Sequence, residues 1–209
     1  MGTSSWNLEI IGRLFREKHF ALPASICDIG CAQLGQDADE TVRAFPSWFG
    51  KSGAQESVAQ FGLHSYMGEL YKLAGFDYVS LDIQEAPFVR KFDLNVDRVP
   101  IELRGKFDLV LNFGTSEHVM NQYNVFEVIH DLMKPGGLTY SMFLINGFGP
   151  HGLLRYSSQF VDALVSTNRY EMLFRETHRG PPGSIDECEW VVFRKNGSES
   201  FRPALDNIG

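Results

Sequence analysis

The feature that most constrains the fold is a series of short apolar segments, each ending on a polar or small residue. Such segments lie at 25–30, 78–83, 89–94 and 106–112. Runs of this kind are typical of buried parallel strands that end in a loop. Apolar residues recur at helical spacing in other segments, at 5–18, 64–74 and 119–133. The pattern predicts an α/β fold.

The C-terminal half completes the predicted sheet. A Lys-Pro-Gly-Gly turn at 134–137 leads into an apolar strand at 138–145, and a helix at 157–167 has Ser157 as its expected N-cap. The last two strands, at 170–176 and 189–194, have no helix between them. We therefore predict a Rossmann-like, mostly parallel, seven-stranded sheet with helices on both faces and an antiparallel edge hairpin.

The length of 209 residues fits a single domain. We assign that domain to residues 1–195 and a solvated tail to 196–209. Residues 36–62 have no clean periodicity and contain Pro46, which predicts an irregular or partly helical insertion after the first strand.

Charge and cysteine content limit the function. The net charge of −7 argues against nucleic acid as a partner. A long apolar stretch and an N-terminal signal sequence are both absent, so we expect a cytoplasmic protein without a membrane partner, either a monomer or a homodimer. The three cysteines fit reduced thiols. Cys27 and Cys31 have no second ligand pair with zinc-finger spacing, so no metal is expected there.

The segment after the first strand carries the first motif, Asp-Ile-Gly-Cys-Ala-Gln-Leu-Gly from Asp28 to Gly35. It resembles the acid-x-Gly-x-Gly-x-Gly loop of class I S-adenosylmethionine-dependent methyltransferases, a resemblance that extends over roughly residues 25–195. Ala32 stands where that family has a second glycine, and Gly35 comes one place late. The resemblance implies that small residues approach the methionine part of the cofactor and that Asp28 orients its amino group.

Acids at the ends of the next two strands extend the resemblance. It implies that Asp82 accepts hydrogen bonds from the ribose hydroxyls and that Asp93, with Leu94, positions the adenine. Asp28 and Asp82 are 54 residues apart, whereas a tight βαβ unit separates such acids by about 20; the insertion accounts for the excess. Strand-end acids can instead cap helices. The implied cofactor-binding residues are Asp28, Gly30, Ala32, Gln33, Gly35, Asp82, Ile83, Asp93, Leu94, Asn112 and Phe113.

The match is strongest at residues 107–118, which end in Glu117-His118, and at residues 133–138. His118 is a candidate general base, since the unperturbed pKa of imidazole lies near neutrality. It is equally a candidate for a structural residue at a helix start. The other candidate catalytic residues are Glu117, His151 and Tyr156, the last two in or near a glycine-rich segment.

Aromatic residues in the insertion suggest a substrate-binding surface. Trp48 and Phe49 follow Phe45, and they offer apolar area that could shelter an acceptor or form a lid over it. The alternative is that they pack the insertion onto the sheet, because aromatic side chains belong more often to a core.

The resemblance implies an S-adenosylmethionine-dependent methyltransferase that modifies an O or N atom of a small molecule. A cofactor-binding pseudoenzyme is one alternative. A nicotinamide-dependent oxidoreductase is a weaker one, because that class has Gly-x-Gly-x-x-Gly, whereas here four other residues separate Gly30 from Gly35.

Overall fold

The computed structural model describes residues 3–35 and 38–203. Helices and strands alternate along most of the chain, as the apolar periodicity predicts. The helices are α1 (Ser5–Arg16), α2 (Glu40–Trp48), α3 (Gln55–Val58), α4 (Met67–Leu73), α5 (Gln122–Leu132) and α6 (Ser158–Thr167). The strands are β1 (Ser25–Ile29), β2 (Asp77–Asp82), β3 (Val89–Lys91), β4 (Phe107–Asn112), β5 (Met133–Asn146), β6 (Glu171–Arg179) and β7 (Glu187–Arg194).

The strands form a seven-stranded sheet in the order β3-β2-β1-β4-β5-β7-β6. β1 pairs in parallel with β2, β2 with β3, and β4 with β5. β7 is antiparallel to both β5 and β6. The predicted Rossmann-like, mostly parallel sheet with an antiparallel edge pair is therefore confirmed.

The chain divides into two compact units, one ending at Phe92 and the other beginning at Asp93. The assignment of a single domain to residues 1–195 remains a prediction. Among residues 3–35 and 38–203, no helix has the length and apolar character needed to cross a bilayer.

In the first unit, α1 turns one apolar face toward the core. Leu8, Ile11 and Leu14 recur at intervals of three residues and are buried, as expected for a helix with one face in the core.

The insertion is partly helical, as predicted, and Asp39 caps α2 by accepting a hydrogen bond from the backbone N–H of Val42. Pro46, which suggests irregular structure in the sequence, instead lies within α2.

The insertion leaves the turn after β1 and then returns to it. The N–H of Leu34 donates to Ser65 O at 2.8 Å, and the N–H of His64 donates to Leu34 O at 2.9 Å. At the start of α4, the N–H of Met67 donates to Ala32 O at 3.1 Å. α4 is therefore the crossover helix between β1 and β2, and the intervening segment accounts for the 54 residues between Asp28 and Asp82.

The second unit departs from prediction at both ends of α5. This helix begins at Gln122 instead of Val119, after a short 3₁₀ turn at Ser116–His118. The predicted turn at 134–137 is wrong, because β5 begins directly after the helix and contains those residues as an irregularity in its pairing with β4. The N–H of Gly136 donates to Lys195 O, and the Lys195 N–H donates to Gly137 O. Lys195, just after β7, therefore holds residues 134–137 in place.

Candidate functional site

Asp28 lies near the carboxyl end of β1 and is almost completely buried, with 1% of its surface exposed. The Tyr78 hydroxyl donates a hydrogen bond to its Oδ2 at 3.3 Å. Among the residues that the structure describes, Oδ1 has no hydrogen bond of ordinary geometry, although the Ala32 backbone N–H helps to stabilise the carboxylate. Burial raises the pKa of Asp28 to about 8, and the nearby Asp82 carboxylate acts in the same direction. The group can therefore gain or lose a proton near neutral pH.

The turn after β1 connects Asp28 to the end of β2. Gly30 has a φ of +93°, in the left-handed region that favours glycine, and its N–H donates to Leu81 O at 2.8 Å. The next N–H, of Cys31, donates to Asp82 Oδ2 at 2.7 Å. Asp82 Oδ1 accepts from the N–H of Gln84 at 2.9 Å. Each carboxylate oxygen has lone-pair capacity for a further donor, so Asp82 can still bind a diol.

The remaining residues of the glycine-containing segment are paired within the first unit. Gln33 forms an antiparallel bridge with Tyr66, and its carbonyl accepts from the N–H of Thr3 at 2.9 Å. The N–H of Gly35 donates to Thr3 O at 2.9 Å. The displaced glycine therefore belongs to a hydrogen-bonded extended segment, and its N–H is already used. Ile83, just beyond β2, is 62% exposed and can offer apolar surface to a ligand.

In the second unit, Asp93 caps a turn. Its Oδ1 accepts hydrogen bonds from the backbone N–H of Asn95 at 2.8 Å and from the Asn95 side-chain amide at 3.1 Å. The buried Leu94 accepts from the Asn124 side chain through its carbonyl, at 2.8 Å. Asp93 therefore organises a turn and not the start of a helix, while adenine binding by Asp93 and Leu94 remains a prediction.

Asn112 ends β4, Phe113 follows it, and both residues are buried. The Asn112 amide donates to Ser116 Oγ at 3.0 Å and accepts from the Ser116 N–H at 3.2 Å. The Phe113 ring packs edge-on against Tyr140 and Trp190, with centroids 4.8 and 5.5 Å apart. These contacts fix the turn that leads to Glu117, and the cofactor-binding roles of both residues remain predictions.

Glu117, His118 and His151 come together although 33 residues separate the last two. Glu117 is fully buried, and within the described part of the chain neither of its carboxylate oxygens has a hydrogen-bond partner. His151 Nε2 lies 3.6 Å from Glu117 Oε1. The two imidazole rings are nearly perpendicular, with centroids 4.8 Å apart. The structure therefore unites three of the four predicted catalytic residues in one cluster.

The segment around His151 is folded onto Glu117 by backbone contacts. The N–H groups of Leu153 and Leu154 donate to Glu117 O at 2.8 and 3.1 Å. Gly152 has a φ of +74°, and a Cβ at this position would lie 2.7 Å from Glu117 Cγ. Only glycine allows this approach without displacing the glutamate. The Arg155 guanidinium donates to two carbonyls of the same segment, those of Gly147 and Gly149.

The protonation of His151 reflects these surroundings. Partial burial lowers the pKa of His151, and positive charge on His118 and Arg155 acts in the same direction, against the Glu117 carboxylate. The neutral imidazole is thus favoured at physiological pH. Neutral imidazole is the form that accepts a proton or binds a metal ion.

Tyr156, the fourth predicted catalytic residue, is buried in the segment between β5 and α6 and is hydrogen-bonded to Gln122 of α5. Its hydroxyl donates to Gln122 Oε1 at 2.6 Å, and Gln122 Nε2 donates to Ser116 O at 2.8 Å. Burial raises the pKa of Tyr156 well above its ordinary value, so the phenol stays protonated. Its catalytic role remains a prediction. Gln122 has no motif around it, and sequence analysis missed it for that reason.

The contacts of Trp48 and Phe49 are those of packing residues. Phe49 is 6% exposed, and its ring centroid lies 4.8–5.0 Å from those of three aromatic neighbours, Phe15, Phe45 and Phe76. The Trp48 ring packs against Gly12 of α1, where a Cβ would come within 2.6 Å of it. The Arg16 guanidinium lies 5.9 Å from the centroid of the same ring. Acceptor binding by Trp48 and Phe49 remains a prediction.

No family model and no curated protein sequence matches the chain. Solved structures do match it in fold. The 1,6-didemethyltoxoflavin-N1-methyltransferase of Burkholderia thailandensis, crystallised with 1,6-didemethyltoxoflavin and S-adenosylhomocysteine, is 14% identical with a TM-score of 0.52, over 92% of this chain and 78% of that one. A putative sarcosine dimethylglycine methyltransferase from Galdieria sulphuraria is 12% identical with a TM-score of 0.55, over 91% of this chain and 84% of that one.

A third match is the trans-methyltransferase CalH, crystallised with S-adenosylhomocysteine. It is 15% identical with a TM-score of 0.53, over 91% of this chain. The present chain spans only 57% of the length of CalH. At these identities the likeness concerns the fold, which is that of the S-adenosylmethionine-dependent methyltransferases.

Proposed function

We propose that this chain is an S-adenosylmethionine-dependent methyltransferase that modifies an O or N atom of a small molecule. One observation carries the proposal beyond the fold. Asp28 and Asp82 lie at the carboxyl ends of adjacent parallel strands, and the Gly30–Cys31 turn is hydrogen-bonded to the second strand and its terminal acid. Ligands of open α/β sheets bind at this edge.

The two acids differ in ways that suit the two polar ends of the cofactor. Asp28 is buried and has a raised pKa, so a ligand ammonium group would favour its ionised form and gain a charge-assisted hydrogen bond. Asp82 is partly exposed, and both of its oxygens retain lone pairs for the ribose diol. We assign further cofactor contacts to Gly30, Ala32, Gln33, Gly35, Ile83, Asp93, Leu94, Asn112 and Phe113.

Methyl transfer needs little chemistry from the protein. When bound, the cofactor would supply a methyl group on a sulfonium: its C–S bond would break as the acceptor O or N bonds to the methyl carbon, S-adenosylhomocysteine would leave, and the acceptor would lose a proton. We assign removal of that proton to the imidazole of His118 or His151, with Glu117 and Tyr156 holding the cluster in place. The rest of the rate enhancement comes from positioning and from exclusion of water, to which we assign Trp48 and Phe49.

Two observations support a small molecule as the acceptor. The net charge of −7 disfavours a phosphate-rich polymer. The Burkholderia thailandensis enzyme holds 1,6-didemethyltoxoflavin together with S-adenosylhomocysteine. We accordingly propose a cytoplasmic enzyme, monomeric or homodimeric, whose partner is a small-molecule acceptor and which acts on neither nucleic acid nor a membrane.

A second candidate function is cofactor binding without turnover. The altered glycine-containing segment, where Ala32 replaces a glycine and the Gly35 N–H is already paired with Thr3, bears on cofactor affinity, so cofactor binding and methyl transfer are measured separately. Such a protein would bind S-adenosylmethionine and transfer nothing.

Label transfer tests the proposal. The protein is incubated with S-adenosylmethionine carrying a tritiated methyl group and with a small-molecule extract of the source cells. We expect label in a small molecule, and much less with Asp82→Asn at a limiting cofactor concentration. Cofactor binding without label transfer would support the pseudoenzyme, and absence of both would contradict the proposal.

A further inference from the structure

We infer that Glu117, His118 and His151 form a binding site for a divalent transition-metal ion. Each side chain offers one ligand atom, and the three atoms lie within 4.8 Å of one another. All three belong to the second compact unit. Sequence analysis gave no reason to expect a metal here, because Glu117-His118 and His151 are far apart in the chain.

Glu117 is buried without compensation. Its side chain is fully buried, and both carboxylate oxygens lack a hydrogen-bond partner among residues 3–35 and 38–203. An ionised carboxylate in such a position is costly unless a counter-charge or donors stabilise it. His151 Nε2, 3.6 Å away, is likewise buried and without a hydrogen bond. A cation between these atoms would satisfy both.

The spacing and chemical type of the three side chains fit a metal site. Tetrahedral zinc ligands at about 2.1 Å from the metal lie about 3.4 Å from each other, and the observed separation of His151 Nε2 from Glu117 Oε1 is 3.6 Å. The rings of His118 and His151 are nearly perpendicular, with centroids 4.8 Å apart, and the ligand atoms of all three residues lie within 4.8 Å of one another. Two imidazoles and one carboxylate suit Zn²⁺, Fe²⁺ or another borderline cation better than Mg²⁺.

Backbone contacts hold the ligand residues in position before any metal binds. Leu153 and Leu154 donate their backbone N–H groups to the Glu117 carbonyl, and the absence of a side chain at Gly152 lets the segment close on the glutamate. Arg155 ties the segment together through its carbonyl contacts. Ligands held on such a framework lose little conformational entropy on binding a metal.

Three protein ligands leave at least one coordination position for water or for an oxygen atom of a small molecule. The following consequence rests on the proposed function. An acceptor hydroxyl bound at the open position would have its pKa lowered by the cation and would release its proton to solvent water. With metal bound, the imidazoles of His118 and His151 would act as ligands, and they would remove the proton only in metal-free protein. The cation would then also orient the acceptor.

Zinc binding tests the site without reference to activity. Metal-free protein is titrated with Zn²⁺ by calorimetry, and bound metal is counted by mass spectrometry after gel filtration. We expect one zinc per chain, with affinity reduced at least about tenfold in Glu117→Gln and in His151→Ala. His178→Ala is the matched control, because His178 Nε2 also lies 2.9 Å from a glutamate, Glu176, but on the surface.

The inference is overturned if wild-type protein binds no zinc, or if His178→Ala lowers the affinity as much as His151→Ala does. S-adenosylhomocysteine binding is measured on the same samples, so failure of the metal site is distinguishable from failure of the proposed function. Should a variant unfold, the visible spectrum of Co²⁺ in the wild-type protein decides. A zinc-displaceable, low-symmetry spectrum supports the site, and the spectrum of aqueous Co²⁺ contradicts it.

Discussion

The backbone N–H of Cys31 donates a hydrogen bond of 2.7 Å to the carboxylate of Asp82. The turn that follows β1 is thereby attached to the acid that ends β2, in addition to the ladder that pairs the two strands. The carboxylate thus has two tasks, since it organises the turn and keeps lone pairs for a ligand. We expect substitutions at Asp82 to affect both the ribose contact and the position of the turn.

The buried Asp28 predicts a pH dependence of stability. Its pKa rises from 3.8 to about 8 on folding, so the folded state binds more protons than the unfolded state between those values. The free energy of unfolding should then fall as the pH rises through this window, by at most about 1.4 kcal/mol per pH unit from this group. Urea denaturation at pH 5 and pH 8 measures it. Asp28→Asn should flatten the difference, and an identical pH dependence in both proteins would refute the assignment to Asp28.

Gly68 predicts a steric effect in α4. A Cβ at this position would lie 2.4 Å from a ring carbon of Tyr78 on β2 and 2.8 Å from Phe88. Gly68→Ala should therefore lower the free energy of unfolding by about 1–3 kcal/mol, despite the higher helix propensity of alanine. Gly62→Ala is the control, since nothing lies within 4 Å of a Cβ there. Equal stability of the two variants would show that α4 can move away from the sheet at little cost.

Two aromatic truncations separate packing from acceptor binding. Phe49→Ala removes a buried ring from an aromatic cluster and should cost about 3–5 kcal/mol of unfolding free energy. Trp48 is less buried, so Trp48→Ala should cost less stability and, if this side chain contacts the acceptor, should raise KM at unchanged cofactor affinity. Thermal melting and steady-state kinetics supply the two readouts. A Trp48→Ala enzyme with normal KM per folded molecule would exclude the acceptor contact.

The effect of Glu117→Gln on the free energy of unfolding should change sign when metal is added. With chelator present, Glu117→Gln should be more stable than wild type by about 1 kcal/mol, because a buried carboxylate without partners is replaced by a neutral amide. With Zn²⁺ present, the order should reverse, since only the wild type gains binding free energy. Chemical denaturation under both conditions measures the change. A variant that is less stable in chelator would mean that the carboxylate already has stabilising partners.

Local pattern was sufficient to predict much of the fold. Apolar runs and their polar ends placed the strands, and Ser157 caps α6 as expected by accepting from the Phe160 N–H at 3.1 Å. These features depend on residues close in sequence. The turn prediction at 134–137 failed because two hydrogen bonds with Lys195 keep the Pro-Gly-Gly segment in β5, and no local rule contains that partner.

In the candidate site, too, features set by nearby residues could be predicted, and contacts between distant residues could not. The positions of Asp28 and Asp82 follow from strand ends, whereas the Tyr78 hydroxyl bond to Asp28 does not, because parallel pairing sets it across 50 residues. The contact between Glu117 and His151 likewise depends on how the segment after β5 folds back. Sequence analysis selected both residues singly, and only the structure joins them.

The central claim is that Asp82 binds the ribose of S-adenosylmethionine, and calorimetric titration with S-adenosylhomocysteine tests it most directly. Wild type, Asp82→Asn and Asp77→Asn are compared, the last being the control at the opposite, exposed end of β2. We predict one ligand per chain for wild type and Asp77→Asn. For Asp82→Asn we predict binding weaker by about 1–3 kcal/mol, the cost of losing charged hydrogen bonds. No binding to the folded wild-type protein, or equal affinity in all three proteins, would contradict the account.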